Sequence, residues 1–159
     1  MLTRGYLNPQ SQRNSKRAEM IKKHSNKEFA TVSQIEDVVA EWFVKNNYNI
    51  CWTENDDPVI FNERSIIRQY PFLDRYCVDF ACPKREIIVE VLGDWWHGWE
   101  FTCGRQKIED LHSKVRNNIG LDEFRFKNIL NAQWTLIKIW KHDIKNGNFV
   151  NILKQHFKD

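Results

Sequence analysis

The sequence has no long hydrophobic run, and its first residues contain no apolar segment. Its stretches of consecutive apolar residues are only a few residues long, whereas a membrane-spanning helix needs about 20. A secretion signal also requires an apolar segment near the N-terminus. We therefore expect a cytoplasmic protein with no membrane partner. Hydrophobic residues still make up 42% of the 159 residues, which is enough for one packed domain with an additional arm.

The four cysteines are scattered along the chain, at positions 51, 77, 82 and 103. They form no C-x-x-C pair, and no group of cysteines and histidines has zinc-finger spacing. Thiols that are reduced and buried or idle agree with a cytosolic protein. The sequence therefore predicts neither disulfides nor a structural zinc site.

The net charge of +3 conceals an uneven distribution of basic residues. Residues 1–28 carry +5, whereas the remaining 131 residues carry −2. A basic arm on a slightly acidic body favours a polyanionic partner, although a solvated tail explains the charge equally well. We interpret residues 1–30 as this arm, with a helix near Ser15–His24, and residues 31–159 as the domain. The candidate phosphate contacts in the arm are Arg13, Lys16, Arg17, Lys22 and Lys23.

The domain shows alternating helix and strand patterns, which predict an α/β fold with a mixed central β-sheet flanked by helices. The two clearest strands are predicted to form a hairpin through a turn at residues 83–85, and a long polar and aromatic stretch covers residues 93–120. The predicted helices are 33–46, 122–132 and 149–157, and the predicted strands are 49–53, 65–70, 76–82, 86–92 and 134–140.

Two carboxylates interrupt the predicted hairpin. Asp79 and Glu90 each lie within an otherwise apolar strand, and neighbouring strands can project both from one face. Buried together, they require a cation or a shared proton. Oxygen ligands at this spacing suit Mg²⁺. Ion pairs with Arg75 or Arg85 explain the two carboxylates equally well.

Three further residues are candidates for chemistry near this hairpin. His97 follows the second strand in the segment Gly-Asp-Trp-Trp-His-Gly and is suited to proton transfer at neutral pH, or it packs on Trp96. Glu36 lies at the edge of the first helix's apolar stripe and is able to approach the sheet, whereas Asp37 faces away, yet a capping box with Ser33 explains Glu36 fully. Asp122 opens the next predicted helix, where an acid stabilises the N-terminus.

These residues together resemble a known family. The segments 78–83 (Val-Asp-Phe-Ala-Cys-Pro), 87–93 (Ile-Ile-Val-Glu-Val-Leu-Gly) and Trp96-His97 resemble the core of very-short-patch-repair (Vsr-like) endonucleases of the PD-(D/E)xK superfamily. The order Glu36, Asp79, His97 and Asp122 is similar to the phage homing endonucleases named for an EDxHD signature. The resemblance covers about residues 31–143, with an insertion at about 98–121.

The resemblance implies a restriction-endonuclease-like core and a metal-dependent endonuclease that cleaves double-stranded DNA, of homing or nicking type. It implies Mg²⁺, for which Mn²⁺ can substitute, held by Asp79 and Glu90, and a homodimer if both strands are cut. Trp95 and Trp96, beside the site, are candidates to wedge or stack against bases, and the core of the insertion is their other interpretation. The implied catalytic residues are Glu36, Asp79, Glu90, His97 and Asp122.

One position departs from the superfamily pattern. Leu92 stands where the wider superfamily has the lysine of its (D/E)xK motif. His97 is then the group that can carry a proton instead. The departure keeps open a catalytically inactive nucleic-acid-binding module on the same fold. An RNA-processing nuclease with the same site is a third alternative.

Deleting residues 1–28 is expected to weaken the salt dependence of DNA binding. Each lost phosphate contact lowers the slope of log K against log salt concentration by about 0.9. Fluorescence anisotropy of a labelled duplex between 50 and 300 mM salt measures this slope. An unchanged slope would show that the arm does not contact phosphates.

Overall fold

The computed structural model describes residues 33–51, 62–73 and 76–157. The basic arm with its expected helix near Ser15–His24 lies outside the described residues, as do the Asn55–Pro58 loop and Arg75. No helix within these ranges is long and apolar enough to cross a membrane.

The fold is mixed α/β, as the sequence pattern predicts. Five strands form one mixed sheet in the order β1-β2-β3-β4-β5, and helices flank it. Short 3₁₀ turns occupy Pro83–Arg85 and Ile108–Asp110. The helices are α1 (Ser33–Lys45), α2 (Trp99–Thr102), α3 (Ser113–Asn131), α4 (Lys141–Asn146) and α5 (Phe149–His156), and the strands are β1 (Asn49–Cys51), β2 (Ser65–Phe72), β3 (Tyr76–Cys82), β4 (Ile87–Leu92) and β5 (Thr135–Trp140).

The chain divides after Lys84 into two compact units. In the first unit, β1 is parallel to β2, and β2 is antiparallel to β3. The apolar stripe of α1 packs on these strands: Phe43 is fully buried, and its ring lies 5.8 Å from that of Phe80 in β3. The predicted amphipathic helix is confirmed, and so is the alternation that turns Val78 and Phe80 into the core, because both are fully buried whereas Asp79 is half-buried.

The second unit is built on β4 and β5, which run parallel with Glu90 opposite Lys138. All six residues of β4 are buried. Ile129 of α3 and Leu153 of α5 are fully buried in the same unit. A strand buried on both faces leaves Glu90 no contact with water, so its charge requires a partner within the protein.

Helix α3 corrects the predicted boundary. It begins at Ser113 rather than at Asp122, and the His112 ring accepts a hydrogen bond from the Lys114 backbone at its N-terminus. Buried residues Val115 and Ile119 extend the apolar stripe of Phe126 and Ile129 toward the N-terminus. Asp122 therefore lies in the middle of the helix and on this inner stripe, and its interpretation as a helix-opening residue is wrong.

Short segments also differ from the predictions. The polar and aromatic stretch 93–120, to which the sequence analysis assigns no element, contains α2 and the first eight residues of α3. Helix α4 was not predicted, because its sequence lacks an apolar period. Strand β2 continues through Pro71 to Phe72, two residues past its predicted end.

Gly98 is expected to tolerate no side chain. Its φ of +69° is left-handed, and an added Cβ would lie 2.4 Å from Ile119 Cδ1 and 2.9 Å from Cγ1. Gly98→Ala should lower the free energy of unfolding by about 2–5 kcal/mol, because backbone strain adds to overpacking. Chemical denaturation measures the loss.

Gly104→Ala is the matched control. Gly104 has a similar φ of +79°, but no atom lies within 4 Å of its added Cβ. That variant should lose only the cost of the left-handed backbone, about 1–2 kcal/mol. Equal losses in the two variants would contradict the clash with Ile119.

Candidate functional site

The first unit contains an acidic cluster, formed by Glu36, Asp37 and Asp79 with the basic and amide partners Arg68 and Gln69. Glu36 Oε2 accepts hydrogen bonds from Gln69 Nε2 at 3.2 Å and from Arg68 Nη2 at 3.4 Å. Arg68, only 5% exposed, also donates through Nη1 to Asp37 Oδ1 at 3.1 Å. Glu36 thus approaches the sheet as expected, whereas the expectation that Asp37 faces away is wrong, because the buried arginine binds both acids.

The environment of Glu36 favours its neutral form. Burial and, to a smaller extent, the negative charge of Asp79 together raise the pKa of this carboxyl from 4.5 to about 8, against the opposing effects of Arg68 and Gln69. At neutral pH, Glu36 is therefore protonated, even with Arg68 beside it, unless a further cation binds there. Glu36 and Asp79 are neighbouring carboxyl groups that each attract positive charge, and their oxygens are the ligands that a hard cation prefers.

The second unit contains a charge relay, by which we mean the sequence of contacts Glu90–Arg125–Asp122–His97. Arg125 Nη1 lies 3.5 Å from Glu90 Oε1, and Arg125 Nη2 donates to Asp122 Oδ1 at 3.1 Å. The other oxygen of Asp122 lies 2.5 Å from His97 Nδ1. The sequence analysis offers Arg85 as an ion-pair partner for the carboxylates of the predicted hairpin. The Arg85 guanidinium lies over the Phe157 ring, 6.0 Å from its centroid. The relay brings three predicted site residues together within one unit.

The contact with Asp122 decides which nitrogen of His97 reacts. An ionised carboxylate only accepts hydrogen bonds, so Nδ1 is the donor in this contact, and in the neutral ring Nε2 is then the nitrogen with a free lone pair. A cavity of about 340 Å³ opens beside His97 and Asp122, and Phe126, Lys138 and Trp140 contribute to its lining. His97 is therefore accessible to a ligand and has the tautomer of a general base.

Two tryptophans next to His97 are exposed. Trp95 is 56% and Trp96 51% exposed, and their rings meet edge to face with centroids 4.7 Å apart. Trp99 instead packs against Trp140, at 4.9 Å between centroids. The interpretation as core of the insertion therefore fits Trp99, whereas Trp95 and Trp96 present flat apolar surface to solvent.

The arrangement includes residues that the sequence analysis missed. Arg68 and Arg125 are the positively charged residues of the two clusters, and the sequence pattern points to each of them. Arg68 interrupts an apolar strand, and Arg125 lies three residues after Asp122 on a helix. His142 is a third residue that the sequence analysis does not single out, and its Nδ1 lies 2.8 Å from Asp94 Oδ1. That contact joins residues 48 positions apart, for which the sequence offers no signal.

The candidate metal ligands fall in different units, Asp79 in the first and Glu90 in the second. Within residues 33–51, 62–73 and 76–157, no group of three or more His, Cys, Asp or Glu side chains is arranged to hold a metal ion. None of the four cysteines, all of which lie in the described ranges, forms a disulfide. The five basic residues proposed to contact phosphates lie outside the described part of the chain.

Comparison with other proteins leaves the family open. The chain matches no protein-family model, no curated protein and no solved structure. The resemblance to Vsr-like endonucleases therefore stays a prediction from the sequence segments that carry it.

Glu36→Gln is expected to change how stability depends on pH. Between about pH 4.5 and 8 the unfolded chain releases the Glu36 proton while the folded chain keeps it. The stability that Glu36 contributes is complete below pH 4.5 and is lost as the pH rises through about 8. The glutamine variant avoids this loss, which is on the order of a few kcal/mol, so its unfolding free energy should fall less steeply with pH.

Urea denaturation in EDTA between pH 5.5 and 8.5 tests this expectation. Glu41→Gln, on the exposed side of the same helix, is the control and should follow the parent protein. The same pH slope for Glu36→Gln and the parent would rule out a protonated Glu36.

Proposed function

We propose that the chain is a metal-dependent endonuclease that hydrolyses phosphodiester bonds in double-stranded DNA, on a restriction-endonuclease-like core. The observation that supports the proposal most is the contact between His97 and Asp122. These residues are 25 positions apart, they are the last two residues of the EDxHD-like order, and they meet beside an open cavity. A histidine that a carboxylate orients for proton transfer suits the active site of a hydrolase.

The proposed reaction uses a magnesium ion. Asp79 and Glu90 would hold it, since both supply the carboxylate oxygens that Mg²⁺ prefers, and Mn²⁺ can substitute. When bound, the ion would neutralise negative charge that develops on the phosphate.

The protein's own groups supply the proton chemistry. His97 either removes the proton from the attacking water through Nε2 or, when protonated, gives a proton to the leaving oxygen as the P–O bond breaks. Asp122 holds the imidazole in position and stabilises its protonated form. Arg125 fixes Asp122 from its other side. Glu36, in the first unit, accepts a hydrogen bond from Gln69 and is chemically suited to hydrogen-bond a water molecule. Leu92 is 1% exposed and provides no cation, but Lys138 lines the same cavity as His97.

DNA is bound, in this proposal, by surfaces of two kinds. The basic arm contacts phosphates through Arg13, Lys16, Arg17, Lys22 and Lys23, which gives affinity without sequence preference. Trp95 and Trp96, both more than half exposed, offer faces on which bases stack. Nicking needs one copy of the chain, and cutting both strands needs a homodimer.

A second candidate function is a nucleic-acid-binding module without catalysis. The observation that favours it is Leu92, whose buried apolar side chain occupies the place of the superfamily's lysine. Such a module keeps the arm and the exposed tryptophans but gains nothing from the pairing of His97 with Asp122.

Glu90→Gln, Asp79→Asn and His97→Ala are expected to separate cleavage from binding. The first two remove a negative charge at nearly constant size, so cleavage should vanish while DNA affinity stays similar. His97→Ala should slow cleavage by about 10²–10⁴-fold, the usual size of a general-base contribution. Supercoiled plasmid and long phage DNA in Mg²⁺, with EDTA as a control, report the rate and whether one or both strands are cut.

Glu109→Gln is the matched control, because it removes an exposed carboxylate of the second unit and should leave cleavage unchanged. Full activity in Asp79→Asn would contradict the proposed metal site. Salt-sensitive binding with no cleavage of any substrate would favour the inactive module.

A further inference from the structure

The loop that carries His97 is closed at its base. Trp99 N donates to Asp94 O at 2.8 Å, which brings the two ends of the loop together. Within it, His97 N donates to Gly93 O at 3.1 Å. The position of the His97 ring therefore depends on how the ends at Asp94 and Trp99 are fixed to the rest of the second unit.

One residue from another part of this unit contacts both ends. His142 lies 2.8 Å from Asp94 Oδ1 through its ring Nδ1, and its backbone N donates to the same oxygen at 3.3 Å. The face of its ring lies against the Trp99 indole, with centroids 4.4 Å apart. Trp140 stacks nearly parallel to the His142 ring, at 6.4 Å and 20°.

His142 is itself held in place by helix α4. The neighbouring Asp143 is buried, its Oδ2 accepts from Trp140 N at 3.3 Å, and its Oδ1 accepts from Asn148 Nδ2 at 3.0 Å. The same Oδ1 lies 3.7 Å from His142 Nε2. Both ring nitrogens of His142 thus face carboxylates, and one of those carboxylates is fixed by its own helix.

We propose that His142 is a positioning residue, which clamps the ends of the 94–99 loop and so holds His97 in place against Asp122. Its effect on cleavage rests on the proposed endonuclease function, but its effect on the His97 ring does not. His142 does not line the cavity beside His97, so it acts through the loop. Loosening such a loop lets the imidazole leave the geometry that Asp122 imposes, and displacement of a catalytic group by about 1 Å can cost 10²-fold in rate.

Three substitutions separate the contributions of His142. His142→Phe keeps an aromatic ring beside Trp99 and Trp140 but loses the hydrogen bond to Asp94. His142→Asn places an amide donor near the position of Nδ1 and is the conservative rescue. His156→Phe, at an exposed histidine near the end of α5, is the matched control.

The first measurement is the ¹⁵N-edited NMR spectrum of the His97 imidazole in the full chain, without DNA or metal. We expect the parent protein, His142→Asn and His156→Phe to show one Nδ1-protonated His97 ring. His142→Phe should shift or broaden these signals through exchange between ring positions. Unchanged His97 signals in a folded His142→Phe protein would overturn the proposal. If His142→Phe does not fold, Asp94→Ala, which removes the other half of the pair, provides the same test.

The second measurement is cleavage of plasmid DNA in Mg²⁺. His142→Phe should lower kcat about 10-fold to 10²-fold with KM changed less than about two-fold, and His142→Asn should recover most of kcat. A rise in KM with unchanged kcat would also overturn the positioning role. If the parent protein cleaves no DNA, the proposed function fails, and the His97 spectrum alone decides the role of His142.

Discussion

Charge buried in the sheet is the constraint on which the second unit depends. Glu90 occupies the middle of a strand whose six residues are all buried, and a carboxylate there is tolerated only with a positive partner. Arg125 supplies that charge from α3 and binds Asp122 with its other nitrogen. Because Asp122 in turn binds His97, the orientation of the histidine is a consequence of neutralising Glu90. Removal of Arg125 would deprive both Glu90 and Asp122 of this positive partner.

The first unit meets the same constraint with a different result. Arg68 is buried in β2 and binds acids on two successive positions of α1. Its charge lowers the pKa of Glu36, yet burial and the charge of Asp79 outweigh it and leave the carboxyl with a pKa of about 8. In the first unit, a bound proton therefore neutralises the buried Glu36. In the second unit, the Arg125 guanidinium neutralises the buried Glu90.

Sequence patterns predict the elements of this fold better than the contacts between them. Alternation in β3 and the stripe of α1 are local, so Val78, Phe80 and Phe43 are assigned correctly to the core. The start of α3 is missed because polar residues separate Val115 and Ile119 from the stronger apolar positions that follow. The pairing of Asp94 with His142 is beyond local patterns, since only the parallel packing of β4 and β5 brings the residues after each strand together.

The cost of these buried groups bears on the choice between the two candidate functions. Replacing a buried ion pair by apolar side chains of similar volume is often neutral or stabilising by about 1–4 kcal/mol. A module that only binds nucleic acid needs basic and aromatic surface, and the exposed tryptophans and the basic arm supply both without Glu90, Arg125 or Asp122. A chain that nevertheless buries Glu90 and directs Asp122 toward His97 carries a cost that binding does not require. Proton transfer by His97 benefits from an imidazole that a carboxylate holds in one orientation, which favours the catalytic proposal over the inactive scaffold.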